Sequence, residues 1–320
     1  MRPLQPTTVR HWLQAYLSSN ETCVPQVDPG RATMVFMRIL SIQSAVAYGH
    51  VGNSAAVFPL QRLGHEVMPV NTVLFSNHTG YGAWRGPLIS GDDVREIVTG
   101  IEERGGLTDT ALVISGYQGG SSIGDAILDA VAKARAANPG VLYSCDPVLG
   151  NATSGCFVSP EVQELIRDRV IQHADIITPN QFELGFVTGT DPQTLDEVLD
   201  SVAAAQKIGP QTVLVTSVNT PETPEDSIQM LAVSGDEAWL ITTPRLPMKA
   251  NGSGDVTQAL FASHFASGKS LKEALELTTA SVYELLKNTL ASGQRELQLV
   301  ESQQAYVEPA ETFEAVAVKR

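Results

Sequence analysis

The segment NGSGD, residues 251–255, combines residue types that could transfer a phosphoryl group. Gly252 and Gly254 permit positive φ and let a ligand approach the main chain closely. Apolar residues at helical spacing follow, so the segment lies where a helix begins and its N–H groups could bind an anion. Asp255 falls in the first helical turn, where its carboxylate could accept the proton of an alcohol. The structural alternative is a glycine turn followed by a capping aspartate.

Two other acidic residues follow predicted buried strands. Asp146 comes directly after a strand in the segment CDPVLG, and Asn180 and Glu183 follow another strand in the segment PNQFEL. Two carboxylates and an amide at one edge of a sheet could hold Mg²⁺, mostly through water, as this ion prefers. The alternative is that Asp146 and Asn180 cap turns and that Glu183 is a solvated helix residue.

Three further segments lie at predicted strand ends. YGHVGNSAA places two glycines before an apolar helix, with Asn53 or Ser54 as a plausible N-cap. FSNHTGYGAW follows the apolar residues 73–75 and is either a polar, aromatic loop that recognises a small aromatic ligand or an ordinary surface loop. SGYQGGSS presents Tyr117 at the same edge of the sheet.

From residue 38 onward, short apolar strands alternate with amphipathic helices. The predicted strands span residues 39–42, 111–115, 141–145, 175–178 and 213–216, and the predicted helices span residues 122–137, 194–207 and 270–287. Capping boxes, Thr194 with Glu197 and Ser270 with Glu273, begin the last two helices. Residues 228–233 and 238–242 predict an antiparallel hairpin at a sheet edge.

This alternation predicts an α/β fold whose mostly parallel central sheet carries helices on both faces and antiparallel edge strands. In open α/β sheets, ligands bind beyond the carboxyl ends of the strands. The polar segments that follow the strands are therefore expected to meet at one edge of the sheet.

The composition narrows the classes of function. The net charge of −14 comes from 21 basic and 35 acidic residues, which argues against nucleic-acid binding because phosphate contacts need a basic face. The three cysteines form no C-x-x-C pair, which favours a reducing compartment and argues against a zinc site. No apolar run approaches the roughly 18 residues of a membrane span. We therefore expect a cytoplasmic protein without a membrane partner.

Residues 1–36 differ from the remainder, with scattered prolines and only one short helical pattern. They are predicted to be a disordered extension, or the product of a start codon assigned too far upstream. Residues 37–320 are predicted to form a single domain.

From Met37 to about residue 305, the chain resembles bacterial pyridoxal kinases of the ribokinase-like superfamily. The resemblance is carried by ILSIQSAVAYGHVGNSAAVFPLQRLGHEVMPVNTVLFSNHTGYG and then, in order, by SGY, CDPVLG, DIITPNQFEL, DEAW and GSGD. It implies a homodimeric kinase that uses ATP and Mg²⁺ to phosphorylate the 5′-hydroxymethyl group of pyridoxal. One alternative is a kinase for another hydroxymethyl heteroaromatic, such as hydroxymethylpyrimidine. Another is a weakly catalytic protein that binds or stores B6 vitamers.

The resemblance also implies roles for individual residues. It makes Asp255 the catalytic base, with Gly252 and Gly254 in the anion hole. The implied pyridoxal-binding residues are Ser44, Thr79, Gly80, Tyr117 and Asp255. The implied ATP-binding residues are Asp146, Thr178, Glu183, Thr216, Thr243, Pro244, Arg245 and Leu246, with Asp146 and Glu183 also near the metal, through water.

Two departures from the family pattern concern the nucleotide. Thr216 stands where the family usually has a lysine, so weaker ATP binding or slower transfer is expected. The segment between Leu246 and Gly252 is a few residues short.

Cys156, in TSGCF, raises a separate hypothesis. Its thiolate could add reversibly to an aldehyde substrate as a hemithioacetal. The alternative is a small, buried apolar residue.

Overall fold

Nine strands form the central sheet, and two short strands form a separate hairpin. The strands are β1 (Arg38–Tyr48), β2 (Glu66–Asn77), β3 (Thr110–Ser115), β4 (Leu142–Cys145), β5 (Gly150–Asn151), β6 (Gly155–Cys156), β7 (Ile176–Ile177), β8 (Thr212–Val218), β9 (Ser227–Ser234), β10 (Glu237–Pro244) and β11 (Val316–Ala317). The central sheet has the order β11-β10-β9-β8-β7-β4-β3-β1-β2, and β5 pairs with β6. The six strands from β2 to β8 in this order are parallel, and β9, β10 and β11 are antiparallel to their neighbours.

In the part of the chain that the structure describes, eight α-helices surround the sheet. They are α1 (Asn53–Arg62), α2 (Gly91–Glu103), α3 (Ser121–Ala137), α4 (Pro160–Leu165), α5 (Gln181–Thr188), α6 (Leu195–Ile208), α7 (Ser253–Ala266) and α8 (Leu271–Ser292). Shorter helical turns span Thr79–Tyr81, Ile166–Val170 and Ile171–His173. These bounds come from a computed structural model, which describes residues 36–319.

Two apolar layers pack against opposite faces of the sheet. One layer contains buried residues of α2, α3, α5 and α6, such as Val98 and Ile127. The other contains buried residues of α1, α7 and α8, such as Leu60, Phe261 and Leu275. The predicted α/β class, with helices on both faces and antiparallel edge strands, is therefore confirmed.

The local predictions were confirmed in part. The hairpin is present as β9 and β10, with Ser234 opposite Glu237, and both capping boxes begin helices, α6 and α8. The sequence analysis did not predict β2, which contains Pro69. Because proline cannot donate a ladder hydrogen bond, a strand that contains it fits the edge of a sheet, where β2 lies.

The prediction that residues 1–36 form a separate extension lies outside the described residues, apart from Phe36, and stays a prediction. Within residues 36–319, no helix is both long enough and apolar enough to cross a membrane.

Candidate active site

Asp255 lies in the first turn of α7, directly after the glycine that caps this helix. Gly252 is the N-cap residue with φ of 86°, a left-handed conformation that glycine adopts without strain. A Cβ atom added at Gly252 would overlap the carbonyl oxygen of His50, so only glycine fits here. The first N–H groups of a helix have no partner within it, so those of Ser253 and Gly254 are available to an anion, whereas that of Asp255 donates to its own carboxylate.

The carboxylate of Asp255 faces the ends of β1 and β3. It accepts the backbone N–H of Gly52, and a Cβ added at Gly116 would lie 3.6 Å from its Oδ1. Burial raises the pKa of Asp255 to about 6, although hydrogen bonds from the N–H groups of Gly52 and Asp255 lower it. The side chain keeps partial exposure, so a substrate hydroxyl can reach it.

Asp146 lies at the carboxyl end of β4, beside the same helix terminus. A Cβ added at Gly254 would lie 3.7 Å from Asp146 Oδ2. Burial, with smaller contributions from Glu183 and Asp255, raises the pKa of Asp146 well above its usual range. Asp146 forms no ion pair with any described residue, so its charge would be favoured by a bound cation.

Glu183 is buried, which contradicts the structural alternative that it is a solvated helix residue. Asn180 caps α5 and shares a capping box with Glu183. Glu183 Oε1 accepts the N–H groups of Leu149 at 2.9 Å and Gly150 at 3.2 Å, and Oε2 accepts that of Asn180 at 2.9 Å. Burial raises the pKa of Glu183, and these three donors oppose the shift.

Two of the substrate residues implied by the resemblance, Ser44 and Tyr117, lie next to glycines that approach Asp255. Ser44 is buried within β1, at the register shift between Gln43 and Ala45, and lies against Gly52, the donor to Asp255. Tyr117 directly follows Gly116, and burial raises the pKa of its hydroxyl. Ser44 and Tyr117 are thus each joined to Asp255 through one neighbouring glycine.

Thr79 and Gly80 belong to the short 3₁₀ helix Thr79–Tyr81. We call this helix and its two capping residues the substrate loop (residues 78–82). Within this loop, the N–H of Gly80 donates to His78 Nδ1 at 3.1 Å. From outside the loop, Arg295 Nη2 donates to the carbonyl oxygen of Gly80 at 3.0 Å. The loop is therefore positioned by the chain that follows α8.

Thr178 and Thr216 line the edge of the sheet next to Glu183. The N–H of Thr178 donates to the carbonyl oxygen of Cys145 at 3.2 Å, and the N–H of Thr216 donates to that of Pro179 at 2.9 Å. Ser217, directly after Thr216, has φ of 55°, an unusual value for a residue other than glycine. Backbone strain thus lies beside the position where the cation was expected.

Residues 243–246 end β10 and contact the loop between β8 and β9. Thr243 is buried, and Pro244 and Arg245 are exposed. Arg245 Nη2 donates to Asn219 Oδ1 at 2.8 Å, and its Nε donates to the carbonyl oxygen of Ser227 at 3.1 Å. Arg245 therefore brings a guanidinium close to the end of β8.

Cys156 lies in β6 and pairs with Gly150, whose N–H binds Glu183. Burial and then the Glu183 carboxylate raise the pKa of Cys156, which favours the thiol over the thiolate. Formation of the hypothesised hemithioacetal requires the thiolate, so the raised pKa of Cys156 argues against this hypothesis.

Several buried polar residues of the site were not predicted. Asn53 or Ser54 was expected to cap α1, but the cap is Gly52. Asn53 instead joins the first two strands: its Oδ1 accepts Ser41 Oγ at 2.6 Å, and its Nδ2 donates to Asn71 Oδ1 at 2.8 Å. Gln258, one turn after Asp255, donates to the carbonyl oxygen of Ser115 at 2.9 Å. A polar residue within an otherwise apolar helix was the signal in the sequence that could have identified Gln258.

The geometry assembles a partly exposed base, a helix terminus that can bind an anion and two buried carboxylates. An alcohol at Asp255 would lie next to N–H groups that can neutralise charge on a transferred phosphoryl group. This arrangement fits phosphoryl transfer to an alcohol.

Comparison with known proteins places the chain in a family. Residues 120–299, more than half of the chain, match the family described as phosphomethylpyrimidine kinase. The chain is 64% identical over 277 residues to pyridoxal kinase PdxY of Leifsonia xyli subsp. xyli, which covers 87% of this chain and 98% of that protein. It is 55% identical over 278 residues to pyridoxal kinase PdxY of Corynebacterium diphtheriae, with 87% and 98% covered.

A solved structure agrees with these relatives. The pyridoxal kinase from Leishmania donovani in complex with ADP and pyridoxamine superposes with a TM-score of 0.82 at 28% identity. The superposition covers 88% of this chain and 99% of that chain.

Proposed function

The chain belongs to the pyridoxal kinase family, and we propose that it transfers the γ-phosphoryl group of ATP to the 5′-hydroxymethyl group of pyridoxal, giving pyridoxal 5′-phosphate. Family membership confirms the resemblance and the ribokinase-like fold predicted from the sequence. The observation that carries the proposed chemistry is the Asp255 carboxylate in the first turn of α7, directly after Gly252.

The proposed mechanism assigns one step to each part of the site. Asp255 takes the hydroxyl proton as the oxygen attacks the γ-phosphorus of ATP, the bond from that phosphorus to ADP breaks and ADP leaves, and the N–H groups after Gly252 stabilise the charge on the transferred group. Ser44, Tyr117 and the substrate loop hold the ring of the vitamer. The helix terminus keeps the phosphoryl group in line with the hydroxyl, so most of the rate enhancement comes from positioning and charge.

We propose Mg²⁺ as the metal, bound mainly through phosphates and water. Among residues 36–319, no cluster of three His, Cys, Asp or Glu side chains could hold a metal ion. Both oxygens of Glu183 already accept backbone N–H groups, whereas Asp146 is free of ion pairs within the described chain. These side chains fit an ion that is held by Asp146, contacts Glu183 through a water molecule and takes its remaining ligands from ATP. When bound, Mg²⁺ would neutralise negative charge on the phosphates.

The proposal for ATP includes Thr216, where the family lysine is absent. We assign ATP binding to Asp146, Thr178, Glu183 and Thr216 near the strand ends, together with residues 243–246. Arg245, fixed by Asn219 and Ser227, is a cation of this region and could contact phosphate. The expectation of weaker ATP binding stays a prediction.

A panel of alcohol acceptors tests the proposed function against its alternatives. ADP formation would be measured with pyridoxal, pyridoxine, pyridoxamine and hydroxymethylpyrimidine. The highest kcat/KM is expected with a B6 vitamer. Turnover of hydroxymethylpyrimidine alone would support the pyrimidine kinase, whose family description matches residues 120–299. Tight pyridoxal binding without ADP formation would support the storage protein.

The rate should depend on the protonation of Asp255. Because burial raises its pKa to about 6, the carboxylate is protonated below that value and cannot accept the substrate proton. The value of kcat/KM for pyridoxal is expected to fall roughly tenfold for each pH unit below about 6. Circular dichroism at each pH would establish that the protein stays folded. A constant kcat/KM between pH 5 and 8 would contradict Asp255 as the base.

We propose that the protein is a homodimer that pairs through the β2 side of the sheet. Exposed large apolar side chains lie on the last residues of the first two strands or in the segment that follows β2: Tyr48, Leu74, Trp84 and Leu88. They flank an apolar groove between residues 45–47 and 74–76. Such a patch on one side favours association with a second copy.

The oligomeric state tests this surface. Sedimentation equilibrium is expected to give twice the 34.2 kDa mass of the chain. Leu74→Lys should shift the protein towards monomer, whereas Ile97→Lys, at the same 45% exposure on α2, should not. A monomeric wild type, or equal masses for both variants, would contradict the interface.

We also propose a cytoplasmic location. Cys145 and Cys156 are free thiols, as expected in a reducing compartment, and the substrates of the proposed reaction are small molecules.

A further inference from the structure

The carboxylate of Glu296 joins two loops that are remote from it in the sequence. Glu296 lies after α8, and its Oε1 accepts the hydroxyl of Tyr81 at 2.6 Å. Its Oε2 accepts the backbone N–H of His50 at 3.0 Å. Tyr81 belongs to the substrate loop, and His50 belongs to the loop between β1 and α1. One side chain thus bridges the two loops on the pyridoxal side of the site.

Arg295 strengthens the same attachment. Its guanidinium lies 3.7 Å from the centroid of the Tyr81 ring, and its Nη2 donates to the carbonyl oxygen of Gly80. Tyr48 packs edge-on against Tyr81, with ring centroids 6.1 Å apart. The hydrogen bond to Glu296 raises the pKa of Tyr81 to about 12, so its hydroxyl remains a donor. The contacts hold both the ring and the backbone of the substrate loop.

The second loop continues the connection to the transfer site. The carbonyl oxygen of His50 lies against Gly252, the N-cap of α7. Two residues after His50, the N–H of Gly52 donates to Asp255. Glu296 therefore fixes the substrate loop relative to the base through His50 and Gly52.

We propose that Glu296 is a positioning residue for pyridoxal, because it holds the substrate loop against the loop that supports Asp255. The inference rests on the proposed function. Glu296 does not need to touch the substrate for this role. Its loss is expected to affect the vitamer more than ATP, since Glu296 binds Tyr81 and His50, neither of which is assigned to ATP.

Kinetics of Glu296→Gln and Tyr81→Phe would test this role. Gln keeps the size of the side chain but can accept only one of the two donors, and Phe keeps the ring beneath Arg295. Both changes remove the charge-assisted hydrogen bond between Tyr81 and Glu296, and Glu296→Gln also removes the charge from the bond to His50, so KM for pyridoxal is expected to rise about tenfold. KM for ATP should change less than about twofold, because the lost hydrogen bonds do not involve a residue assigned to ATP binding.

A double mutant and a matched control separate positioning from general damage. Because both changes break the same bond, the double mutant should raise KM for pyridoxal by less than the product of the two single effects. Glu301→Gln, at an exposed position in the same C-terminal segment, should leave both KM values unchanged. A purely structural role would lower the active fraction and the melting temperature but leave KM for pyridoxal constant.

The outcomes distinguish this inference from the proposed function. If the wild type forms no pyridoxal-dependent ADP, both are overturned. If the wild type is active but both single variants keep the KM for pyridoxal of Glu301→Gln, only the positioning role is overturned. Tyr81→Phe retains the ring packing and decides the question even if Glu296→Gln does not fold.

Discussion

Asp255→Asn is expected to lower kcat for pyridoxal phosphorylation by about 10²- to 10⁴-fold, the usual contribution of a general base. The amide keeps the shape of the carboxylate but cannot take the proton of the hydroxymethyl group. Pyridoxal affinity should change little, because Ser44 and the substrate loop remain in place. Steady-state kinetics with saturating ATP would measure kcat and KM separately.

The stability of Asp255→Asn provides an internal control. Burial raises the pKa of Asp255, so its ionised form opposes folding at neutral pH, and the neutral amide should give an equal or higher melting temperature. Asp236→Asn, in the exposed turn between β9 and β10, should keep full activity. Turnover of Asp255→Asn close to that of Asp236→Asn would contradict the role of Asp255 as the base.

Gly252→Ala is expected to lower kcat by about 10²-fold or more, the usual effect of damage to a group that stabilises transition-state charge. The added Cβ would overlap the carbonyl oxygen of His50, so the start of α7 or the loop after β1 must move. Either movement displaces the N–H groups beside Asp255. Pyridoxal-dependent ADP formation by the purified, folded variant would measure the loss.

Gly268→Ala is the matched control for this substitution. Gly268 has φ of 89°, close to the 86° of Gly252, but a Cβ added there has open space around it. Backbone strain alone should therefore cost Gly268→Ala about 1 kcal/mol of the free energy of unfolding and leave kcat unchanged. If Gly268→Ala and Gly252→Ala lose the same stability and keep the same kcat, the nest after Gly252 has no catalytic role.

Local patterns predicted the parts of the site that lie at strand ends. Asp146, Glu183 and Asp255 each follow a strand or begin a helix, and the shared direction of parallel strands brings them to one edge. The electrostatic influence of both Glu183 and Asp255 on Asp146 agrees with that prediction. The structural alternative paired a capping Asn180 with a solvated Glu183; Asn180 does cap α5, but Glu183 is buried.

Long-range contacts could not be predicted in the same way. Glu296 binds partners that precede it by 215 and 246 residues, and no local pattern encodes such a contact. Asn53 has the residue type of a helix cap, but tertiary contacts to β1 and β2 use its side chain instead. β2 was not predicted because it contains a proline, which is tolerated only in an edge strand. That β2 lies at the edge follows from the order of the whole sheet and not from the local sequence.

The identity of the product tests the central claim most directly. The purified protein would be incubated with Mg²⁺, ATP and pyridoxal, and pyridoxal 5′-phosphate and ADP would be quantified by chromatography over time. Our account predicts that the two products appear in equal amounts and that Asp255→Asn forms neither at a comparable rate. ADP without pyridoxal 5′-phosphate, or neither product from the folded wild type, would contradict it.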